Sequence, residues 1–367
     1  MKLAAALAVP LVALTTVTFL EVARTSDDVA DIREQTALAR AAIGPAGLIT
    51  KLQNERTWMS VEVVGWGEMA SVPVKGYAET RAETDEAAAM LRDEIQREGG
   101  EVARAFSAPL DGLAELAAIR ADIDAYTGPD DTSSATFTGP TYDRYTEVIR
   151  PFFDAITDVS VAVDDPDLRQ GTEMADAVAR EIEVLGDTMA QILADQIVLG
   201  GIDTSSVASV SAKQEEFVRY GQKLRNATGT YADIVAEHFP ANLFEDVGVH
   251  LDQAITAGSV DPAAVQASVA NRADGEAFSG LQDAIATELI ERSDELNATA
   301  AARQRWYAAL GGLTLVLATV LTWLVSRSIT KPLRSLTRQA KEMAENRLPD
   351  AVLDILETPL GDDVAMP

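Results

Sequence analysis

The run KLQNERTWMS at residues 51–60 carries the most chemically specific spacing in the chain. Gln53, Arg56 and Ser60 stand at i, i+3 and i+7, so on a helix they share one face that is otherwise apolar. A guanidinium on such a face needs a partner, because burying an unpaired charge is very costly. Two readings follow. In one, Arg56 pairs with Glu55 or Glu62, or reaches outward to solvent along its aliphatic stem. In the other, it faces a small cavity between helices and grips a planar oxyanion through its fork of donors, with Gln53 and Ser60 adding neutral hydrogen bonds. The other reactive groups are few. The absence of cysteine excludes disulfides, thiolate metal sites and a thiol nucleophile. His238 and His250 are the only two histidines, too few for a histidine-rich metal cluster. No Ser-His-acid arrangement, glycine loop for phosphate or carboxylate pair can be nominated, so no catalytic residue, metal or cofactor is expected.

The elements that must position these residues are helices. Over 367 residues, 47% are hydrophobic and 5% aromatic, and long stretches pass without Gly or Pro; the chain buries a core, and its class is all-α. Helical periodicity runs from residue 22 to a Gly44-Pro45 break, then over 48–64, 77–97, 102–126, 142–161, 167–199, 205–226, 231–237, 244–257 and 262–270. Residues 128–140 (GPDDTSSATFTGP) read as a turn-rich link, and Gly200-Gly201 and Pro240 mark others. A last helix begins near Ala277 and continues without a breaker into an apolar run. Helices of this number and length pack most simply as up-and-down bundles, here two of them, end to end or side by side.

Two apolar runs bracket this region. Residues 3–20 (LAAALAVPLVALTTVTFL) carry no charge and are long enough to span a bilayer; a cleaved signal peptide competes, but Pro10 and Glu21 fit it poorly. Residues 306–326 form a cleaner span, with Trp306, Tyr307 and Trp323 near its ends. Arg327, Lys331, Arg334, Arg338 and Lys341 follow it with no acid before Glu342, which places the tail, and with it both termini, in the cytoplasm. Between residues 21 and 305 there are 23 basic and 51 acidic residues, so the net charge of -28 resides in the outer region and disfavours nucleic acid as a partner.

The run LQNER followed by Ser60 resembles the Q-x-E-R-x-x-x-S signature of the nitrate- and nitrite-sensing (NIT) domain, a helical input domain of bacterial sensor kinases. KLAAALAVPLVAL at residues 2–14, GYAETRAETDEAAAMLR at 76–92 and YDRYTEVI at 142–149 are similar to its actinobacterial members. The resemblance implies paired four-helix bundles in which arginines from different helices surround one nitrate or nitrite. It carries over Arg56 with Gln53 and Ser60. A second arginine is expected on the long helix after the linker, where this chain has Asp195 and Gln196; Arg180, Arg219 and Arg225 are candidates by location alone.

In the tail, Leu333, Leu336, Ala340 and Met343 repeat at spacings of three, four and three, the seam of a short parallel coiled coil, with Pro332 opening the helix. The segment resembles the first helix and connector of a HAMP linker, with a break at Leu348-Pro349. The expected organisation is a transmembrane helix over 1–23, an extracytoplasmic NIT-like sensor domain over 24–305, a second transmembrane helix over 306–326 and a partial HAMP linker over 327–367. The expected role is a plasma-membrane input module, homodimeric, taking a small anion outside and signalling to a cytoplasmic kinase. It would be the N-terminal part of a sensor histidine kinase with no catalytic core of its own. The alternatives are a sensor of another ligand and a membrane scaffold responding to a protein partner.

Overall fold

The computed structural model describes residues 2–63, 76–126, 131–199, 204–239, 256 and 276–343. Every element among them is an α-helix: α1 Lys2–Ala41, α2 Ile43–Val63, α3 Tyr77–Glu98, α4 Gly100–Gly112, α5 Glu115–Ala125, α6 Asp131–Ala162, α7 Pro166–Leu199, α8 Thr204–Arg225, α9 Gly229–His238 and α10 Glu276–Glu342. The all-α expectation holds. The helices expected over 244–257 and 262–270, and the Leu348-Pro349 break, lie outside the described residues.

Several boundaries differ from the sequence reading, each for a local reason. The first break falls at Ala42, before Gly44-Pro45: Pro45 has no N–H for the Ala41 carbonyl, so α1 ends there and α2 restarts with Pro45 in its first turn. Gly44 is required for contact, since a Cβ there would stand 2.9 Å from Leu91 Cδ1 of α3. The helix expected over 102–126 is two, because Pro109 loosens the end of α4 and Gly112 closes it, after which tight bonds at Leu113 and Ala114 turn the chain. Consecutive left-handed glycines, Gly99 (φ 65°) and Gly100 (φ 52°), make the α3–α4 corner. The link expected at 128–140 is helical from Asp131. Phe137 stacks on Tyr126 at 4.4 Å and packs against the core, so tertiary burial overrides weak local propensity. Pro332 does not open a helix but lies inside α10.

The chain divides into two compact units, Met1–Val29 with Ala301–Pro367, and Ala30–Ala300. In the first, Gly311 lies against Thr18 and Val22, and Leu315, Val316, Leu321 and Trp323 are exposed. Among the described residues α10 is the one helix with a stretch apolar enough to cross a membrane, and that stretch is almost wholly unburied. Leu336 and Met343 of the expected coiled-coil seam are exposed.

The second unit holds two hydrophobic cores. Leu48, Leu52 and Met59 of α2 meet Leu91, Phe106, Ile119, Tyr145 and Phe152 in one. Val178 and Val184 of α7 meet Phe217, Leu224, Tyr231, Leu281 and Ile285 in the other. Helix α7 serves both: Ala179 and Glu183 face α2, while Val178 and Val184 belong to the second core. The site described next lies where α2 and α6 meet this shared helix.

Candidate functional site

The α-helical spacing of α2 turns successive side chains about 100° apart, so Glu55 and Arg56 point toward different neighbours. Arg56 is 1% exposed. Its fork closes on the Glu183 carboxylate of α7 from two points, Nη1 to Oε1 at 2.8 Å and Nη2 to Oε2 at 2.7 Å. Nη1 also donates to Thr146 Oγ1 of α6 at 2.7 Å, and the guanidinium lies 4.1 Å over the Tyr142 ring. Gln53 Nε2 donates to the same carboxylate, 2.9 Å from Oε2, and to the Ala179 carbonyl at 3.1 Å. The side-chain assignment of Gln53 follows from these contacts, because both partners are acceptors. Arg56 Nε and Gln53 Oε1 are buried without a hydrogen-bond partner. Ser60 turns back on its own helix, donating to the Arg56 carbonyl at 3.2 Å. The partner of Arg56 is therefore not Glu55 but an acid 127 residues away, and the side chain of Glu62 lies outside the described residues.

Burial, the largest single influence, pulls the Arg56 guanidinium down, yet the charge and hydrogen bond of Glu183 together with Tyr142 and Asp187 outweigh it and hold Arg56 above its ordinary range. Burial likewise pushes Glu183 up, and the charge and hydrogen bond of Arg56, with Gln53 and Lys213, reverse this to leave it below the usual carboxylate range. One turn further along α7, Asp187 pairs with Lys213 of α8 at 2.7 Å, and the Lys213 charge also acts on Glu183. Arg56, Glu183, Asp187 and Lys213 together form a neutral set.

Glu55 is fully buried on the neighbouring face of α2. Arg120 of α5 grips it from two points at 2.8 Å each and reaches Asp85 at 2.8 Å with its remaining terminal nitrogen. Tyr145 of α6 donates to Glu55 at 2.7 Å, so the 2.9 Å contact between Tyr77 and Tyr145 is a donation from Tyr77. This second charged cluster is complete within the protein.

The three arginines nominated by location stand elsewhere. Arg180 binds both oxygens of Asp176 through Nε and lies over the Phe153 ring at 4.7 Å. Arg219 is exposed and bonds Glu216 one turn away. Arg225, in the last turn of α8, acts on buried Glu181. The side chains of Asp195 and Gln196 lie outside the described residues.

The sequence model of the nitrate and nitrite sensing family matches residues 47–346, a span that contains the whole Arg56 cluster. The chain belongs to the NIT family. Its fold is similar to a solved structure of the NasR transcription antiterminator, at 17% identity and a TM-score of 0.56, with 89% of this chain and 88% of that one covered. No curated protein matches the sequence. Within the NIT signature, the conspicuous Gln and Arg converge on one acid, and the intervening Glu anchors a different pair. Glu183, Thr146 and Tyr142 escaped sequence reasoning, since nothing local marks an acid 127 residues from its partner; YDRYTEVI did flag the segment that supplies Tyr142, Tyr145 and Thr146.

Proposed function

We propose that this chain is a sensory input module that takes nitrate or nitrite at the fork of Arg56, with Gln53 as a second donor. The observation that carries the reading is the two-point grip of a 1% exposed guanidinium on a planar carboxylate, at 2.7 and 2.8 Å. A carboxylate and an edge of nitrate present the same pair of coplanar oxygens, so a fork built for one fits the other. Family membership adds the ligand class. The uncharged run at 3–20 and the exposed apolar stretch of α10 support a two-pass membrane protein with the acidic region outside. The basic, heptad-spaced residues that end α10 support a HAMP-like output toward a cytoplasmic kinase, with the chain paired as a homodimer.

A second reading is favoured by the same contact. If the Arg56–Glu183 pair is purely structural, the chain is a scaffold that answers to a protein partner. Calorimetric titration of the full chain in detergent micelles with nitrate and nitrite separates the two. Arg56→Lys keeps the charge and removes the two-point fork. Saturable binding to the native chain that is lost in Arg56→Lys, with helix content unchanged, is expected; native binding retained in that variant, or silence from the folded native chain, sinks the anion reading in favour of the scaffold.

A further inference from the structure

From the geometry at Arg56 we infer that Glu183 is the site's own resident anion, a tethered carboxylate that an incoming planar oxyanion displaces, and that Lys213 of α8 receives the displaced charge. The inference rests on the proposed anion reading of this site. It adds what competes for the fork, which ligand class can win, and where the loser goes.

The fork is filled on both terminal nitrogens, and the carboxylate takes a third donor from Gln53 Nε2. A monovalent anion added beside Glu183 would place two negative charges on one guanidinium, with Asp187 one turn away adding a third. Binding therefore requires exchange. The two partners are unequally placed for it: Arg56 is 1% exposed while the Glu183 side chain is 17% exposed, so the acid is the member with a route toward solvent. Lys213 is the cation at hand to receive it, itself 21% exposed, held one turn along α7 by Asp187 at 2.7 Å and already acting on the Glu183 charge. Exchange would carry Glu183 from a partner on α2 to one on α8, whose Val210 and Phe217 belong to the second core. Ligand occupancy would thereby be written into the α7–α8 contact.

Because the resident is a monovalent carboxylate, the ligand class is monovalent planar anions with two coplanar oxygens, including nitrate, nitrite and formate; the fork could also bridge two oxygens of sulfate, but its second charge would stand buried beside Asp187. A site open to ligand a tenth of the time binds tenfold more weakly than one always open. Glu183→Gln removes the competitor while keeping size and hydrogen-bonding atoms.

The test uses the full chain in detergent micelles, titrated calorimetrically with sodium nitrate, formate and sulfate. Glu183→Gln is expected to bind nitrate about tenfold tighter than the native chain or better, with formate following and sulfate silent. Lys213→Met uncovers Asp187 in either background, but should weaken nitrate binding several-fold more beside native Glu183 than in the Glu183→Gln background. Equal or weaker nitrate binding by folded Glu183→Gln overturns the displacement, as does an equal effect of Lys213→Met in both backgrounds; in either case, loss of binding in Arg56→Lys would leave the anion reading standing. If Glu183→Gln fails to fold, Glu183→Asp, which shortens the tether by one methylene and keeps the charge, is expected to bind nitrate more tightly than the native chain, and unchanged or weaker binding overturns the inference. Native-strength binding in Arg56→Lys overturns both.

Discussion

Replacing Glu181 by Gln should stabilise the protein, and by an amount that grows with pH. Glu181 lies on the face of α7 opposite Ala179 and is fully buried, with neither carboxyl oxygen hydrogen-bonded within the protein. Burial pushes its carboxyl up to about 9, against a weaker opposing pull from Arg225. The folded protein then keeps a proton that the unfolded chain releases above the ordinary carboxylate value of 4.5. A raised carboxyl of this kind favours the fold only at low pH: its contribution is intact below the unfolded value and is lost progressively as pH rises toward the folded one. Each pH unit in that window is worth about 1.4 kcal/mol, so three units, reached at pH 7.5, set a ceiling of about 4 kcal/mol. Gln is neutral throughout and nearly isosteric. Thermal unfolding of the full chain in detergent, followed by tryptophan fluorescence at pH 5, 6, 7 and 8, should give near-equal midpoints at pH 5 and a variant advantage that widens to pH 8. A constant difference, or one that narrows, would mean that Glu181 is ionised and paired in the native state, and the argument from its burial would fail.

Two other perturbations probe the packing around the site. Arg120→Met strips the fully buried Glu55 of its two-point partner and should lower stability by about 3–5 kcal/mol, as breaking a buried pair does; a loss under 1 kcal/mol in denaturant unfolding would show that Tyr145 alone satisfies that charge. Gly171→Ala would set a Cβ 2.2 Å from the Tyr231 hydroxyl and 2.3 Å from Leu289 Cδ1, costing about 1–3 kcal/mol by overpacking. Tyr231→Phe should recover part of that loss, because the hydroxyl it removes is buried without a partner; no recovery in the double variant would place the strain in the backbone instead.

Helix class and most helix extents were legible because they depend on composition and on periodicity within a few turns. The misreadings cluster where proline or glycine acts together with packing. Pro109 split a helix that its apolar spacing carried straight through, whereas α6 absorbed Pro140 because Phe137 had Tyr126 to stack upon. Pro332 lies within α10 too, but among exposed residues, so packing does not account for it. The site divides along the same line. Gln53 and Arg56 could be paired from the sequence because one helical turn joins them; Glu183 could not, because only the packing of α7 on α2 brings it within 3 Å of the guanidinium. Lys213 is a further step removed, placed by α8 against α7.

The adjacency of Glu55 and Arg56 now has a mechanical meaning. Neighbours 100° apart on a helix cannot satisfy each other, so each charge must find a distant partner, and they find different ones: Arg120 with Tyr145 on one side, Glu183 with Thr146 on the other. Turning α2 by one residue would sweep Glu55 toward Glu183 or Arg56 toward Arg120, a like-charge contact either way, so the two pairs together fix the rotation of α2 as an opposite-charge code fixes a helix register. The Glu55 pair is buried to the same extent as the Arg56 pair and has every carboxylate oxygen bonded. An anion reaching Arg56 thus meets a helix already held from its other face. On the proposed anion reading, what can yield is the partly exposed carboxylate on α7, and a signal begun at α2 would leave through α7.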